Sequence, residues 1–125
     1  MPGTDIQALA TARAAELPGA ELTHPFGDEW DVYKVRGKVF MLLTELAGEQ
    51  VVTLKSAPED SVRYQRTFAS ITPGYHMNKR HWITVRAAEE LDATLIGELV
   101  TDSYLLVVEK LPVAQQPVDP ARFGQ

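Results

Sequence analysis

Between Asp31 and Lys55 the chain places three short β-prone segments in succession, joined by turns of two or three residues. Asp31–Arg36 contains Val32, Tyr33 and Val35, types that suit a pleated, half-buried surface. Gly37-Lys38 marks a tight turn, and Val39–Glu45 resumes as a second strand. Ala47-Gly48-Glu49 turns again into Gln50–Lys55. Linkers this short do not allow a crossover, so the three segments form an antiparallel meander.

Helical patterns flank the meander. Thr4 and Asp5 suit an N-cap, and Ile6, Leu9, Ala10 and Leu17 recur at helical spacing until Pro18-Gly19 stops the pattern, which predicts a helix over about 5–17. Glu21–His24 reads as a short extended piece. It leads into His24-Pro25-Phe26-Gly27, where proline disfavours the helical region for His24 and makes a bend with Phe26 as its aromatic anchor. The acidic run Asp28-Glu29-Trp30-Asp31 is expected on an exposed loop. Pro58-Glu59-Asp60 opens a second helix to about Ala69, with proline in the first turn and acids at the positive end of the dipole. Thr72-Pro73-Gly74 is a loop signal, and His81–Val85 is a further strand. Ala87–Lys110 is helical in pattern. Asp102-Ser103 within it is cap-like, so one helix and two consecutive helices are both open. Residues 1–112 form the expected domain, of α+β class, and 113–125, with Pro117 and Pro120, a flexible or loosely docked tail.

Composition restricts the chemistry. The 125 residues include no cysteine, which removes disulfides, thiolate metal sites and cysteine nucleophiles and fits a reducing, cytoplasmic compartment. The opening MPGTDIQALA lacks the pattern of a secretory leader, and no apolar run reaches the roughly 20 residues of a membrane span, so no membrane role is expected. The net charge of −5 is unevenly spread. Lys34 to Arg86 holds nine basic and four acidic residues (9 − 4 = +5), leaving three basic and thirteen acidic in the flanks (3 − 13 = −10). Solvated acidic loops and helix faces account for the flanks, and a basic face for a polyanion is the sharper alternative.

Catalytic and metal signatures are missing. His76 and His81 are five residues apart, which puts them on opposite faces if both lie in one strand, and neither pairs with His24 at a recognised ligand interval. No G-x-S-x-G surrounds Ser103, and neither phosphate-binding glycine loop occurs. The adjacent acids Asp28/Glu29 and Glu89/Glu90 suit solvated surfaces. No enzyme, metal or cofactor is expected. Pro73 to Trp82 is the most unusual stretch, joining an aromatic, two histidines, an amide and two cations. Lys79 and Arg80 can neutralise phosphates, while Met77 and Trp82 can serve the core.

These pieces combine into a resemblance. His24-Pro25-Phe26-Gly27, Val35-x-Gly37-Lys38-Val39-Phe40, Leu54-Lys55 before Pro58-Glu59, Pro73-Gly74-Tyr75-His76-Met77-Asn78-Lys79-x-His81-Trp82 and Ser103-Tyr104 before Leu111-Pro112 together resemble the MmcQ/YjbR family over roughly residues 5–112. The resemblance implies a fold like bacterial frataxin, CyaY-like, with one antiparallel sheet and helices packed on one face. It also implies DNA binding. Iron handling does not follow, because helix 1 carries only Asp5 and Glu16 where frataxins resemble one another in a dense acidic ridge. The basic excess nominates Lys34, Arg36, Lys38, Lys55, Lys79 and Arg80 as phosphate contacts, with His76, Asn78 and His81 secondary. His24, Phe26, Trp82 and Tyr104 are expected to hold the scaffold. The alternative is a small-molecule or protein-interaction module with a pocket near Trp82, Lys55 and Tyr104. A monomer is expected.

Overall fold

A computed structural model describes residues 3–75 and 77–124 of the chain. Among them the elements run α1 (Gly3–Ala15), β1 (Ala20–Thr23), β2 (Asp31–Val35), β3 (Lys38–Leu46), β4 (Glu49–Lys55), α2 (Pro58–Thr67), β5 (Ile71–Pro73), β6 (Trp82–Arg86), α3 (Ala93–Val108) and a 3-10 turn at Val113–Gln115. The strands form one sheet in the order β1-β2-β3-β4-β6-β5, antiparallel at every pairing. The fold is therefore α+β with a single open sheet.

The meander is set by its turns. Arg36 (φ 50°) and Gly37 (φ 78°) join β2 to β3, and Ala47 (φ 51°) and Gly48 (φ 82°) join β3 to β4. Positive φ at both central residues matches the twist of a two-residue hairpin. Strand alternation then sends Leu43, Val52, Leu54, Ile83 and Val85 to one face, where they meet Ile6, Ala10 and Ala14 of α1 and Ile96, Leu99, Val100 and Tyr104 of α3. Phe40 and Tyr104 meet edge to face, with ring centroids 5.5 Å apart, a pairing worth about 0.5–1.5 kcal/mol beyond burial. Tyr64 and Phe68 bring α2 against the same core.

The opposite face carries no helix among the described residues. Val32, Leu42 and Trp82 form a small cluster there, with Trp30, Val39 and Met77 packed onto it. Trp30 reaches this face from the loop at one end of the sheet and Met77 from the loop at the other. The backbone N–H of Tyr75 donates to Thr84 Oγ1 at 2.9 Å, and the Thr53 and Thr84 hydroxyls lie 3.2 Å apart beneath it.

Several expectations change. The first helix begins at Gly3, so Thr4 and Asp5 fall inside it, and it ends at Ala15. Ile71–Pro73, read as loop, is an edge strand. Proline is tolerated there because an edge leaves one side of the ladder unpaired. Residues 87–92 precede the third helix, which starts after Asp92, whose Oδ1 accepts from Leu95 N at 2.8 Å. It then runs unbroken through Asp102-Ser103 to Val108. Ser103 supplies no cap because its hydroxyl faces the sheet. Phe26 does not anchor the bend: it stands 66% exposed, and Trp30 packs inward instead. Trp30 also departs from the exposed-loop reading of 28–31, and Asp31 opens β2. In the tail, Val118 and Phe123 pack on the core, the Phe123 ring lying 6.1 Å from that of Tyr104.

Candidate functional site

The sheet separates charge along its strand axis. Reading the register, Arg36, Lys38 and Lys55 sit at one end of the sheet, joined there by Lys79, Arg80 and His81 in the loop before β6. Lys34 lies one residue inside that end. The other end gathers Asp28, Glu29, Asp31, Glu45, Glu49, Glu89 and Glu90 in or beside the opposite turns. Sequence spacing placed basic residues in the middle of the chain, and the antiparallel register gathers most of the sheet's own cations at one end, where Glu21, Glu59, Asp60 and Glu109 also lie, and its acids at the other.

The poles hold themselves in place differently. At the anionic one, His24 Nε2 and Asp31 Oδ1 lie 2.9 Å apart, and Arg86 Nε meets Glu49 Oε2 at 3.3 Å. Glu90 accepts from the Ser70 hydroxyl at 2.7 Å and from its backbone N–H at 3.1 Å, and these bonds hold its carboxyl below the usual value. At the cationic pole, Lys34 faces Glu21 directly across β1–β2, and Arg36 Nε donates to the Gln115 carbonyl at 3.0 Å. Lys38 is exposed. Asn78 Oδ1 accepts from the Arg80 backbone N–H at 2.9 Å, and Lys79 Nζ donates to the Gly74 carbonyl at 3.4 Å, so the loop is shaped by its own side chains. His81 is exposed, and its carbonyl accepts from Ser56 N at 2.8 Å. His76 lies outside the described residues.

The scattered motif pieces converge here for a structural reason. A bulge at Phe40 shifts the β2–β3 register, and the β3–β4 ladder starts one residue later, at Met41–Leu54. The Ser103 hydroxyl enters the gap: it accepts from Lys55 N at 2.8 Å and donates to the Phe40 carbonyl. One buried hydroxyl replaces a missing ladder bond and pins α3 to two strands. The Tyr104 hydroxyl donates to the Pro18 carbonyl, tying the same helix to the segment after α1. Gly74 closes the other side: a Cβ there would lie 2.5 Å from the Trp82 Cβ, so only glycine permits the approach of 74 to β6. Trp82 and Tyr104 are both buried.

Lys55 borders a second feature. A cleft of about 270 Å³ opens between α2 and α3, lined by Lys55, Asp60, Tyr64, Asp102 and Glu109 over Leu99 and Leu105. Desolvation in the cleft, then the Glu98 and Asp60 carboxylates, raise Asp102 above its ordinary value. Tyr64 is also raised, first by burial. Trp82 and the buried Tyr104 are not among the residues lining this cleft. Sequence reasoning missed the acids facing Lys55, because Asp60 and Asp102 are far apart in the chain and only helix packing joins them. Among the described residues no group of three or more His, Asp or Glu is placed to hold a metal ion, and no helix is long and apolar enough to cross a membrane.

Known proteins resemble this chain in sequence and in fold. An uncharacterised protein, YbdF, of Escherichia coli O157:H7 is 46% identical over 116 residues, spanning 93% of this chain and 95% of its own. The uncharacterised protein YjbR of Escherichia coli K12 is 32% identical over 97 residues, 76% of this chain and 80% of its own. The crystal structure of Deinococcus radiodurans protein DR2400, with a DUF419 domain, matches with a TM-score of 0.80 at 32% identity, covering 98% of this chain and 93% of that one. The family model described as YjbR matches residues 15–106, and with these relatives it makes the chain a member of the YjbR family.

Proposed function

We propose that this chain is a non-enzymatic, monomeric, cytoplasmic binding protein that holds DNA by the cationic pole of its sheet. The observation that carries the reading is the segregation of charge along the strands, with Lys79 and Arg80 exposed in a loop braced by Gly74 and Asn78. A cationic surface opposed by an anionic one orients the molecule toward a polyanion and repels it from the other end. The test is fluorescence anisotropy of a labelled duplex at two salt concentrations, with wild type and with Lys79→Ala/Arg80→Ala. Binding is expected to weaken steeply with salt, and the double variant to flatten the slope by roughly 0.9 for each phosphate no longer neutralised. An unchanged slope sinks the assignment of these two residues.

A second reading, a small-molecule module, is favoured by the α2–α3 cleft. Its carboxylates outnumber its single lysine, so the ligand chemistry it fits is cationic rather than polyanionic. Thermal-shift screening with small amines separates the two readings, since DNA at the cationic pole leaves Asp102→Asn protein unaffected.

A further inference from the structure

The nine basic residues between Lys34 and Arg86 are not equally available to a partner. The Gln115 carbonyl holds Arg36, Asp60 pairs with Arg63 at 3.0 Å, and Glu49 pairs with Arg86. Among the described residues, the side chains of Lys34, Lys38, Lys55, Arg66 and Arg80 have no hydrogen-bond or ion-pair partner, and Lys79 keeps only its bond to the Gly74 carbonyl. Of these cations, Lys79 and Arg80 line a groove against α2. Its walls are Val62 and Gln65 of α2 on one side and Lys79 and Arg80 on the other, enclosing about 330 Å³. Arg66 follows Val62 by four residues and so stands on the same helix face one turn further on.

The groove also has an apolar component. Val62 is 48% exposed on a helix whose neighbouring Ser61 is buried, so Val62 serves the groove wall rather than the core. Cations beside an exposed valine suit a strand that alternates phosphate with the less polar faces of a sugar. The amides that would grip a base edge at two points each have one end engaged: Gln65 Nε2 donates to Ser61 Oγ at 2.8 Å, and Asn78 Oδ1 accepts from Arg80 N. Glu59 lines the end of the groove nearest the start of α2 and repels a phosphate there.

Resting on the DNA-binding reading, we propose that the groove between α2 and the Lys79–Arg80 loop seats one sugar–phosphate strand of DNA, gripped without regard to base sequence. Arg66 is a phosphate ligand of this site, Glu59 limits it, and the β2–β3 hairpin lysines lie outside it.

Anisotropy with two labelled duplexes of equal length and unrelated sequence tests this, using wild type, Arg66→Ala, Glu59→Gln and Lys34→Ala/Lys38→Ala, each checked for folding by circular dichroism. The two duplexes are expected to bind within about twofold of each other. Arg66→Ala lowers the salt slope by roughly 0.9, Glu59→Gln tightens binding a few-fold, and the hairpin pair, outside the groove, lowers the slope by less than Arg66→Ala does. A slope reduced by the hairpin pair and not by Arg66→Ala overturns the groove while leaving DNA binding standing. A sequence preference above about tenfold overturns backbone-only recognition. Failure of wild type to bind either duplex at low salt overturns both proposals.

Discussion

Ser103 illustrates how much one side chain decides. Its hydroxyl satisfies a donor 48 residues away and an acceptor 63 residues away, at a place where the Phe40 bulge has broken the ladder. Removing it leaves the Lys55 N–H and the Phe40 carbonyl without that partner in a buried setting. Ser103→Ala is therefore expected to cost about 1–3 kcal/mol, read as a lowered urea midpoint with an unchanged slope. A loss below about 0.5 kcal/mol, within the range of ordinary surface substitutions, contradicts the bridging role. The sequence marked Ser103 as a polar residue in an apolar pattern and offered a helix cap as its use. Its true partners were illegible because they are joined by packing, not by spacing. Phe26 errs in the other direction: an aromatic after His24-Pro25 reads as an anchor, yet it is exposed and the half-buried Trp30 packs onto the sheet.

The elements differ in how openly they are written. β2, β3 and β4 are legible because a two-residue turn fixes both pairing and register locally. Those turns also hold a correctable strain. Ala47 adopts φ 51° at the first central position of the β3–β4 hairpin, a conformation that costs an L-residue roughly 1–2 kcal/mol and that asparagine tolerates better. Ala47→Asn is expected to stabilise the protein by about 0.5–1 kcal/mol, raising the melting temperature by a few degrees in calorimetry. A lowered melting temperature refutes the strain. β5 is hidden in the sequence because it has only three residues and ends in proline, a pattern that locally reads as loop. It becomes a strand only because β6 offers an edge, with Gly74 allowing the close approach to Trp82. Pro58 and the acids after it announce α2, but not that its Val62 face looks across a groove to Lys79 and Arg80.

At the scale of the whole molecule, the α2–α3 cleft links packing to pH. Asp102 titrates above its ordinary value of 3.8 through desolvation and the carboxylates of Glu98 and Asp60, so between those two values the folded state binds more protons than the unfolded one. Stability from this group falls as pH rises through that window and stays lower above it. Asp102→Asn is expected to be more stable than wild type at neutral pH, with the difference vanishing in acid. Urea midpoints from about pH 3 to 7 read this, and a difference independent of pH refutes it. Glu90 contributes with the opposite sign: its carboxyl is lowered by Ser70, so its contribution is lost as pH falls through its folded value. The sequence by itself determined the antiparallel meander, the helices that flank it and the basic character of the chain's middle, because turn chemistry, periodicity and charge are local properties. The tertiary structure alone decided that the sheet's own cations and acids gather at opposite ends, that Ser103 mends a bulge, and that α2 faces Lys79 and Arg80 across a groove. Each of these depends on residues brought together by strand register and helix packing, and no spacing along the chain records such a meeting.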